Sequence, residues 1–191
     1  MVLDAEYCQP SGKTIQIGAA IYDVRNAVCY GTLDTFVNPG ELITPEITGL
    51  TGITNQDVQN APNIIEAYEM LKAFHRKEKC FMNPLVWGSG VRNDSSHLYE
   101  EYKAAMSSTY MDREPDAQNF MGFRAIDVKT VYQTMMLFEN RQYAGGLADS
   151  MKRLGLKFEG EKHRALTDAK NTFTLWYYLA RIMHDGFKNK K

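Results

Sequence analysis

Two acidic residues near the start of the chain, Asp4 and Glu6, lie two positions apart in the short apolar segment Val2–Tyr7. The segment is typical of a β-strand, in which side chains alternate between faces, so both carboxylates project from the same face. Crowded carboxylates repel one another and resist burial, and an oxygen-preferring cation such as Mg²⁺ or Mn²⁺ makes the arrangement tolerable. The alternative is an edge strand with a solvated acidic face, and the pair alone leaves both interpretations open.

A second candidate group lies near the other end of the chain, where His163 precedes Asp168 by five residues in the segment HRALTD. The pattern predicts His163 in a loop and Asp168 in the first turns of the helix that follows. Such a pair can bracket one small volume, with the acid on a metal ion and the imidazole on a water molecule. An imidazole with an ordinary pKa of about 6.5 is suited to accept a proton near neutral pH. The structural alternative is that Asp168 complements the helix N-terminus and that His163 is a surface residue.

Three extended segments at the start of the chain must position the first acidic pair. Val2–Tyr7 is followed by Thr14–Val24 and Val28–Val37, both rich in β-branched and apolar residues. The short link at residues 25–26 is typical of antiparallel neighbours, so we expect a three-strand meander.

Helical periodicity dominates after residues 39–40, interrupted by two short apolar segments. The pattern predicts one mixed sheet flanked by helices. Strands are expected at Leu85–Gly88 and Arg124–Val128, and a long loop is expected at 107–122. A helix is expected to begin at Thr44-Pro45, and another to run from a cap at Ser95 or Ser96 to about Met106. Further helices are expected over 64–74, 129–138 and 146–154, and from Ala165 to Met183.

The composition narrows the class of protein. With 191 residues, 44% of them hydrophobic and 24% charged, the chain is expected to form one domain over residues 1–187 with a polar tail at 188–191. A net charge of −1 argues against a protein that coats duplex DNA through its bulk charge. Three scattered cysteines argue against a disulfide framework or a structural zinc site. The start of the chain does not resemble a signal peptide, and no apolar run reaches about 18 residues, so we expect a cytoplasmic or other intracellular location and no membrane partner.

Taken together, these motifs resemble the DEDDh (DnaQ-like) family of 3′→5′ exonucleases in the ribonuclease-H-like superfamily. Asp4-Ala5-Glu6 matches the first motif of the family, and the segment from His163 to Asp168 matches the third. The second motif, an Asp that follows a short strand and precedes a helix, falls within WGSGVRNDSSHL, where Asp94 is the candidate. Three further segments resemble the family in the same order along the chain: IQIGA at 15–19, LTGIT at 50–54 and GGLADSMKRLGL at 145–156.

The resemblance implies an α/β fold, a ribonuclease-H-like mixed five-strand sheet whose first three strands are antiparallel, flanked by helices. It also implies that Asp4, Glu6, Asp94 and Asp168 hold two divalent metal ions, Mg²⁺ or Mn²⁺, and that His163 is the general base. In such two-metal cleavage the ions lie about 3.5–4 Å apart, one activating water and the other stabilising the leaving oxygen. The implied partners are single-stranded 3′ ends of DNA or RNA, and the implied products are nucleoside 5′-monophosphates.

The sequence departs from the family at two of these motifs. Tyr7 follows Glu6 where the family commonly has Thr, and Asn93 precedes Asp94 where an aromatic residue is frequent. A structural alternative for Asp94 is therefore a helix N-cap ahead of Ser95-Ser96.

The same comparison nominates Tyr7, Leu50 and Thr51 as contacts for the terminal nucleotide. A buried turn is the alternative for Leu50 and Thr51. For the chain as a whole, the alternative function is a catalytically silent module of the same fold that binds nucleic acid or a polymerase.

Four other residues have less specific patterns. Trp87 ends an apolar strand and is predicted to lie in the core, and Asp127 is predicted to cap the helix that follows it. Phe123 and Tyr143 can stack on bases, although an aromatic residue near a loop is more often simply packed.

Overall fold

A mixed five-stranded sheet forms the centre of the computed structural model, which describes residues 1–78, 80, 83–88, 93–109, 118–139, 141 and 144–188. The strands are β1 (Val2–Tyr7), β2 (Thr14–Asp23), β3 (Val28–Phe36), β4 (Leu85–Val86) and β5 (Ile126–Asp127). Their order across the sheet is β3-β2-β1-β4-β5. Strand β2 is antiparallel to both β1 and β3, β4 is parallel to β1, and β5 is parallel to β4. The predicted fold class is confirmed, including the antiparallel pairing of the first three strands.

Several helices begin at a residue whose side chain caps the first turn. They are α1 (Pro45–Thr51), α2 (Asn55–Val58), α3 (Ile64–Lys77), α4 (Asp94–Thr109), α5 (Val128–Phe138), α6 (Leu147–Arg153) and α7 (Ala165–Lys188). Thr44 caps α1 with Pro45 in the first turn, and the Asp127 carboxylate caps α5 by accepting hydrogen bonds from two backbone N–H groups. Both of these predictions are confirmed. The short helix α2 was not predicted, because four residues show no periodicity.

The predicted boundaries of two helices are wrong. Helix α4 is capped by Asn93, whose side-chain oxygen accepts from the Ser96 backbone N–H at 3.1 Å, so neither Ser95 nor Ser96 is the cap. The helix continues to Thr109, and the predicted loop at 107–122 therefore starts inside it; residues 110–117 lie outside the described part. Helix α7 extends to Lys188, the first residue of the predicted tail, and residues 189–191 also lie outside the described part.

The sheet is covered on both faces, and the alternation of β1 decides which side chains face which helices. Leu3 and Ala5 pack with α3 and α4 in one hydrophobic cluster. Val2 packs with α5, α6 and α7 in a second cluster on the opposite face. Because side chains alternate along a strand, Asp4 and Glu6 share the face of Val2, the face that α7 covers.

The N-terminus of α7 lies directly against β2. A Cβ atom on Gly18 would be only 2.0 Å from the Leu166 backbone nitrogen. The buried Gln16 side chain accepts a hydrogen bond from the Ala165 backbone N–H at 3.1 Å, and it donates to the Asp34 carboxylate at 2.7 Å. These contacts fix the position of the loop and first turn that carry His163 and Asp168. Among the helices described, none has the combined length and apolar character needed to cross a membrane.

Candidate active site

The predicted catalytic residues come together in one cleft of about 390 Å³. Side chains from β1, from the start of α4 and from the start of α7 form its acidic side. Its described lining residues are Asp4, Ala5, Glu6, Trp87, Asp94, Gly146, Leu147, Ala148, Asp149, Phe158, Lys162, His163 and Asp168.

The first acidic pair lies on a central strand. Strand β1 lies between β2 and β4, and both carboxylates are half-buried, so the alternative of a solvated face on an edge strand is wrong. Burial raises the pKa of Asp4 well above its usual range, and the nearby charges of Asp94, Glu6 and Asp168 raise it further. Burial, followed by the charges of Asp168 and Asp94, raises the pKa of Glu6 to about 8. Without a counter-ion, burial and mutual repulsion therefore favour the protonated forms of Asp4 and Glu6.

Asp94 is held at the start of α4 by a contact from β1. The Tyr7 hydroxyl donates a hydrogen bond to its Oδ1 at 2.7 Å. Burial raises the pKa of Asp94 to about 6, although the Tyr7 hydrogen bond and the proximity of His97 act in the opposite direction. The N-cap alternative for Asp94 is wrong, because Asn93 supplies the cap and the Asp94 carboxylate lines the cleft.

The third motif places an acid and an imidazole beside Glu6. One side-chain ligand atom from each of Glu6, His163 and Asp168 lies within 4.8 Å of the others. His163 is exposed and has a left-handed backbone conformation, with φ of 59°. Its backbone N–H donates to Asp168 Oδ2 at 3.1 Å, whereas Asp168 Oδ1 is buried with no hydrogen-bond partner among the described residues. If Asp168 only complemented the helix N-terminus, the hydrogen bond to its Oδ2 would be explained, but the burial of Oδ1 without a partner among the described residues would not.

The donor set fits hard divalent cations. Five acidic residues among those described line the cleft, and burial raises the pKa of four of them, Asp4, Glu6, Asp94 and Asp168. For Asp168, the hydrogen bond from the His163 backbone and the nearby charges of His163 and Lys162 act in the opposite direction. A buried carboxylate oxygen without a hydrogen-bond donor is costly unless something positive satisfies it. Carboxylate oxygens are the ligands that Mg²⁺ and Mn²⁺ prefer, so the residues present fit such ions.

Several residues of the cleft were missed by sequence reasoning. Trp87, predicted to be core, is half-buried and lines the cleft, and the Lys129 ammonium lies 5.9 Å from the centre of its ring. Phe158, Lys162 and Asp149 form part of the walls. The position of Lys162 directly before His163 was a usable signal, and Asp149 lies in the segment at 145–156 that resembles the family. Phe158 carries no such signal, because only the tertiary structure brings its loop to the cleft.

The three predicted substrate contacts are not among the described residues that line the cleft. Tyr7 contacts Asp94 instead, as described above. Leu50, at the end of α1, is 53% exposed, whereas Thr51 is buried, with its hydroxyl bonded to the Ile47 carbonyl and the Ile53 N–H. As nucleotide contacts these assignments stay predictions. Of the two aromatic residues, Phe123 is 82% exposed and Tyr143 lies outside the described residues.

Comparison with known proteins agrees with the fold. The profile of the RNase_T exonuclease family matches residues 1–176. This chain belongs to the RNase_T exonuclease family. The predicted resemblance is thereby confirmed at the level of the exonuclease family.

Curated relatives match over nearly the whole chain at low identity. ERI1 exoribonuclease 2 of Xenopus laevis is 25% identical over 210 residues, covering 97% of this chain and 28% of the relative. ERI1 exoribonuclease 2 of Danio rerio is 27% identical over 195 residues, covering 91% of this chain and 32% of the relative. The chain thus spans about a third of the length of these relatives.

Solved structures share the fold. The nuclease domain of 3′hExo, a DEDDh family member bound to rAMP, matches with a TM-score of 0.69 at 17% identity, covering 96% of this chain and 90% of that one. Cell-death related nuclease 4 (CRN-4) matches with a TM-score of 0.74 at 16% identity, over 94% and 62% of the two chains. S. pombe Pop2p in its Mg²⁺- and Mn²⁺-bound form matches with a TM-score of 0.61 at 18% identity, over 97% and 84%.

Proposed function

We propose that this chain is a metal-dependent 3′→5′ exonuclease that removes nucleoside 5′-monophosphates from the 3′ end of single-stranded DNA or RNA. The observation that carries the proposal is the convergence of Asp4, Glu6, Asp94 and Asp168 in one cleft, where Asp168 Oδ1 is buried and has no hydrogen-bond partner within the described part of the chain. A protein that only binds nucleic acid has no use for a crowded, repelling acidic cluster, since phosphates are themselves anionic.

Asp4, Glu6, Asp94 and Asp168 would hold two divalent ions. Bound there, such ions would supply Lewis-acid stabilisation of the scissile phosphate and lower the pKa of water. The charge of two cations would also offset the repulsion between an acidic cleft and an anionic substrate. The Mg²⁺- and Mn²⁺-bound form of Pop2p, which shares the fold, supports these two ions as the first to test.

His163 would act as the general base. The attacking water would form the new O–P bond as its proton passes to the imidazole, and the 3′ oxygen of the preceding nucleotide would leave. The exposure of His163 suits this role, because the imidazole can then return the proton to solvent. The hydrogen bond from its backbone N–H to Asp168 keeps its loop beside the acid.

Two features of the surroundings would supply contacts for the terminal nucleotide. Trp87 and Phe158 offer aromatic surface within the cleft, where stacking is worth about 1–3 kcal/mol per base. Leu50 offers an exposed apolar side chain at the end of α1, whereas the Thr51 hydroxyl is already engaged by its own turn. Relatives named exoribonucleases, and a structural neighbour bound to rAMP, support RNA as the first substrate to test.

The test is degradation of 5′-labelled single strands, DNA and RNA side by side, with Mn²⁺ or with EDTA. We expect a ladder that shortens from the 3′ end only when metal is present, and the faster strand identifies the preferred substrate. The Asp4→Asn variant is the matched control, because it preserves size while removing one ligand charge. Metal-independent cleavage, or full activity in Asp4→Asn, would refute the site. Mn²⁺ binding without cleavage of either strand would favour the silent module.

A further inference from the structure

Tyr7 connects the end of β1 to the start of α4 through the Asp94 carboxylate. Its hydroxyl donates to Asp94 Oδ1 at 2.7 Å, and both side chains are half-buried. Within the described part of the chain, the structure shows one hydrogen bond to the Asp94 side chain, and it is this one. One carboxylate oxygen is thereby engaged by the protein, and Oδ2 remains available on a residue that lines the cleft.

The ring of Tyr7 is itself held in place. It packs edge-on against His97, with ring centroids 4.6 Å apart and an interplanar angle of 68°. His97 lies three residues beyond Asp94, on the same side of α4, and its Nε2 is 2.7 Å from the Gly12 carbonyl oxygen. The hydroxyl is thus presented to Asp94 by a ring that packing has already oriented.

The backbone of β1 changes register at this residue. Glu6 pairs with Gln16, but Tyr7 pairs with Thr14, so the strand has an irregularity between Glu6 and Tyr7. Bulges next to active sites commonly redirect a side chain. Here the irregularity follows the last acid of the first motif and precedes the tyrosine that contacts the acid of the second motif.

We propose that Tyr7 is a positioning residue, which fixes the Asp94 carboxylate so that Oδ2 can bind a divalent ion, and that it is not a contact for the terminal nucleotide. The inference rests on the proposed function, because it assigns Asp94 to metal binding. Residues that orient metal ligands typically contribute about 10–100-fold to metal affinity or activity, and we expect an effect of this size for Tyr7.

The test compares Tyr7→Phe with wild type by calorimetric titration of Mn²⁺ in the absence of nucleic acid. We expect the Kd for Mn²⁺ to rise by about 10–100-fold, with the KM for a single-stranded oligonucleotide unchanged at saturating metal. Tyr30→Phe is the matched control, since Tyr30 is 62% exposed on β3 and the same single oxygen is removed. Circular dichroism in EDTA checks that both variants are folded.

A double-mutant comparison separates positioning from a general loss of structure. If Tyr7 acts through Asp94, then Tyr7→Phe should cause no further loss of Mn²⁺ affinity in an Asp94→Asn background. A full additional loss in that background would overturn the inference, and so would unchanged Mn²⁺ affinity with a raised KM in the single variant. In both cases the wild-type protein would still bind Mn²⁺ and cleave the oligonucleotide, so the proposed function would stand. A wild-type protein that binds no Mn²⁺ would instead overturn the proposed function and this inference with it.

Discussion

Gly18→Ala is expected to displace the N-terminal end of α7, beside the proposed catalytic residues His163 and Asp168. The added Cβ would lie 2.0 Å from the Leu166 nitrogen and 2.2 Å from the Ala165 carbonyl carbon, whereas ordinary contacts begin at 3.4 Å. The obstacle is backbone and cannot rotate away, so the N-terminus of α7 must move from β2 by about 1.4 Å. A misplacement of about 1 Å can reduce a catalytic rate about 10²-fold, and overpacking costs about 1–3 kcal/mol of stability.

The assay measures single-turnover cleavage of a 5′-labelled strand and the free energy of unfolding in urea for the same preparations. We expect Gly18→Ala to lose about 10²-fold in rate. Gly186→Ala is the control, because Gly186 lies in the same helix with nothing within 4 Å of its added Cβ. That variant should retain its rate and gain up to about 1 kcal/mol from helix propensity. A Gly18→Ala protein with a rate within threefold of wild type would show that the contact between β2 and α7 does not position His163 and Asp168.

Three further predictions concern the acidic cluster and the imidazole. Asp4→Asn should raise the melting temperature in EDTA, because it removes a carboxyl group whose charged form is disfavoured first by burial and then by its acidic neighbours, and it should lose the stabilisation by Mn²⁺; a lower melting temperature in EDTA would contradict this reasoning. His163→Ala should reduce turnover by about 10²–10⁴-fold, and a change below threefold in the cleavage assay would remove His163 from the mechanism. Because burial raises the pKa of Glu6 from 4.5 to about 8, the folded metal-free protein binds more protons than the unfolded chain between these values. Its stability in EDTA should therefore fall as pH rises through this window, less steeply in Glu6→Gln, and urea midpoints that rise instead would refute the assignment.

Much of the fold and of the acidic site could be predicted from local patterns. The bounds of β1 follow from its apolar residues, and the period of two places Asp4 and Glu6 on one face without further information. Thr44-Pro45 and Asp127 mark helix starts through capping chemistry that involves only neighbouring residues. Asp94 depended on the resemblance, because one acid before a helix has the same local pattern whether it caps the helix or binds a metal.

The sequence by itself determined the types of element, the shared face of the first acidic pair and the five-residue separation of His163 from Asp168. Only the tertiary structure decided that β1 lies in the middle of the sheet, that Gly18 lets α7 approach β2, and that Tyr7 reaches Asp94 across 87 positions of the chain. It also showed that Trp87, which was predicted to lie in the core, forms part of the wall of the cleft. The physical reason is range: periodicity and capping act between residues a few positions apart, whereas strand order, close backbone approach and the walls of a cleft depend on contacts between distant segments.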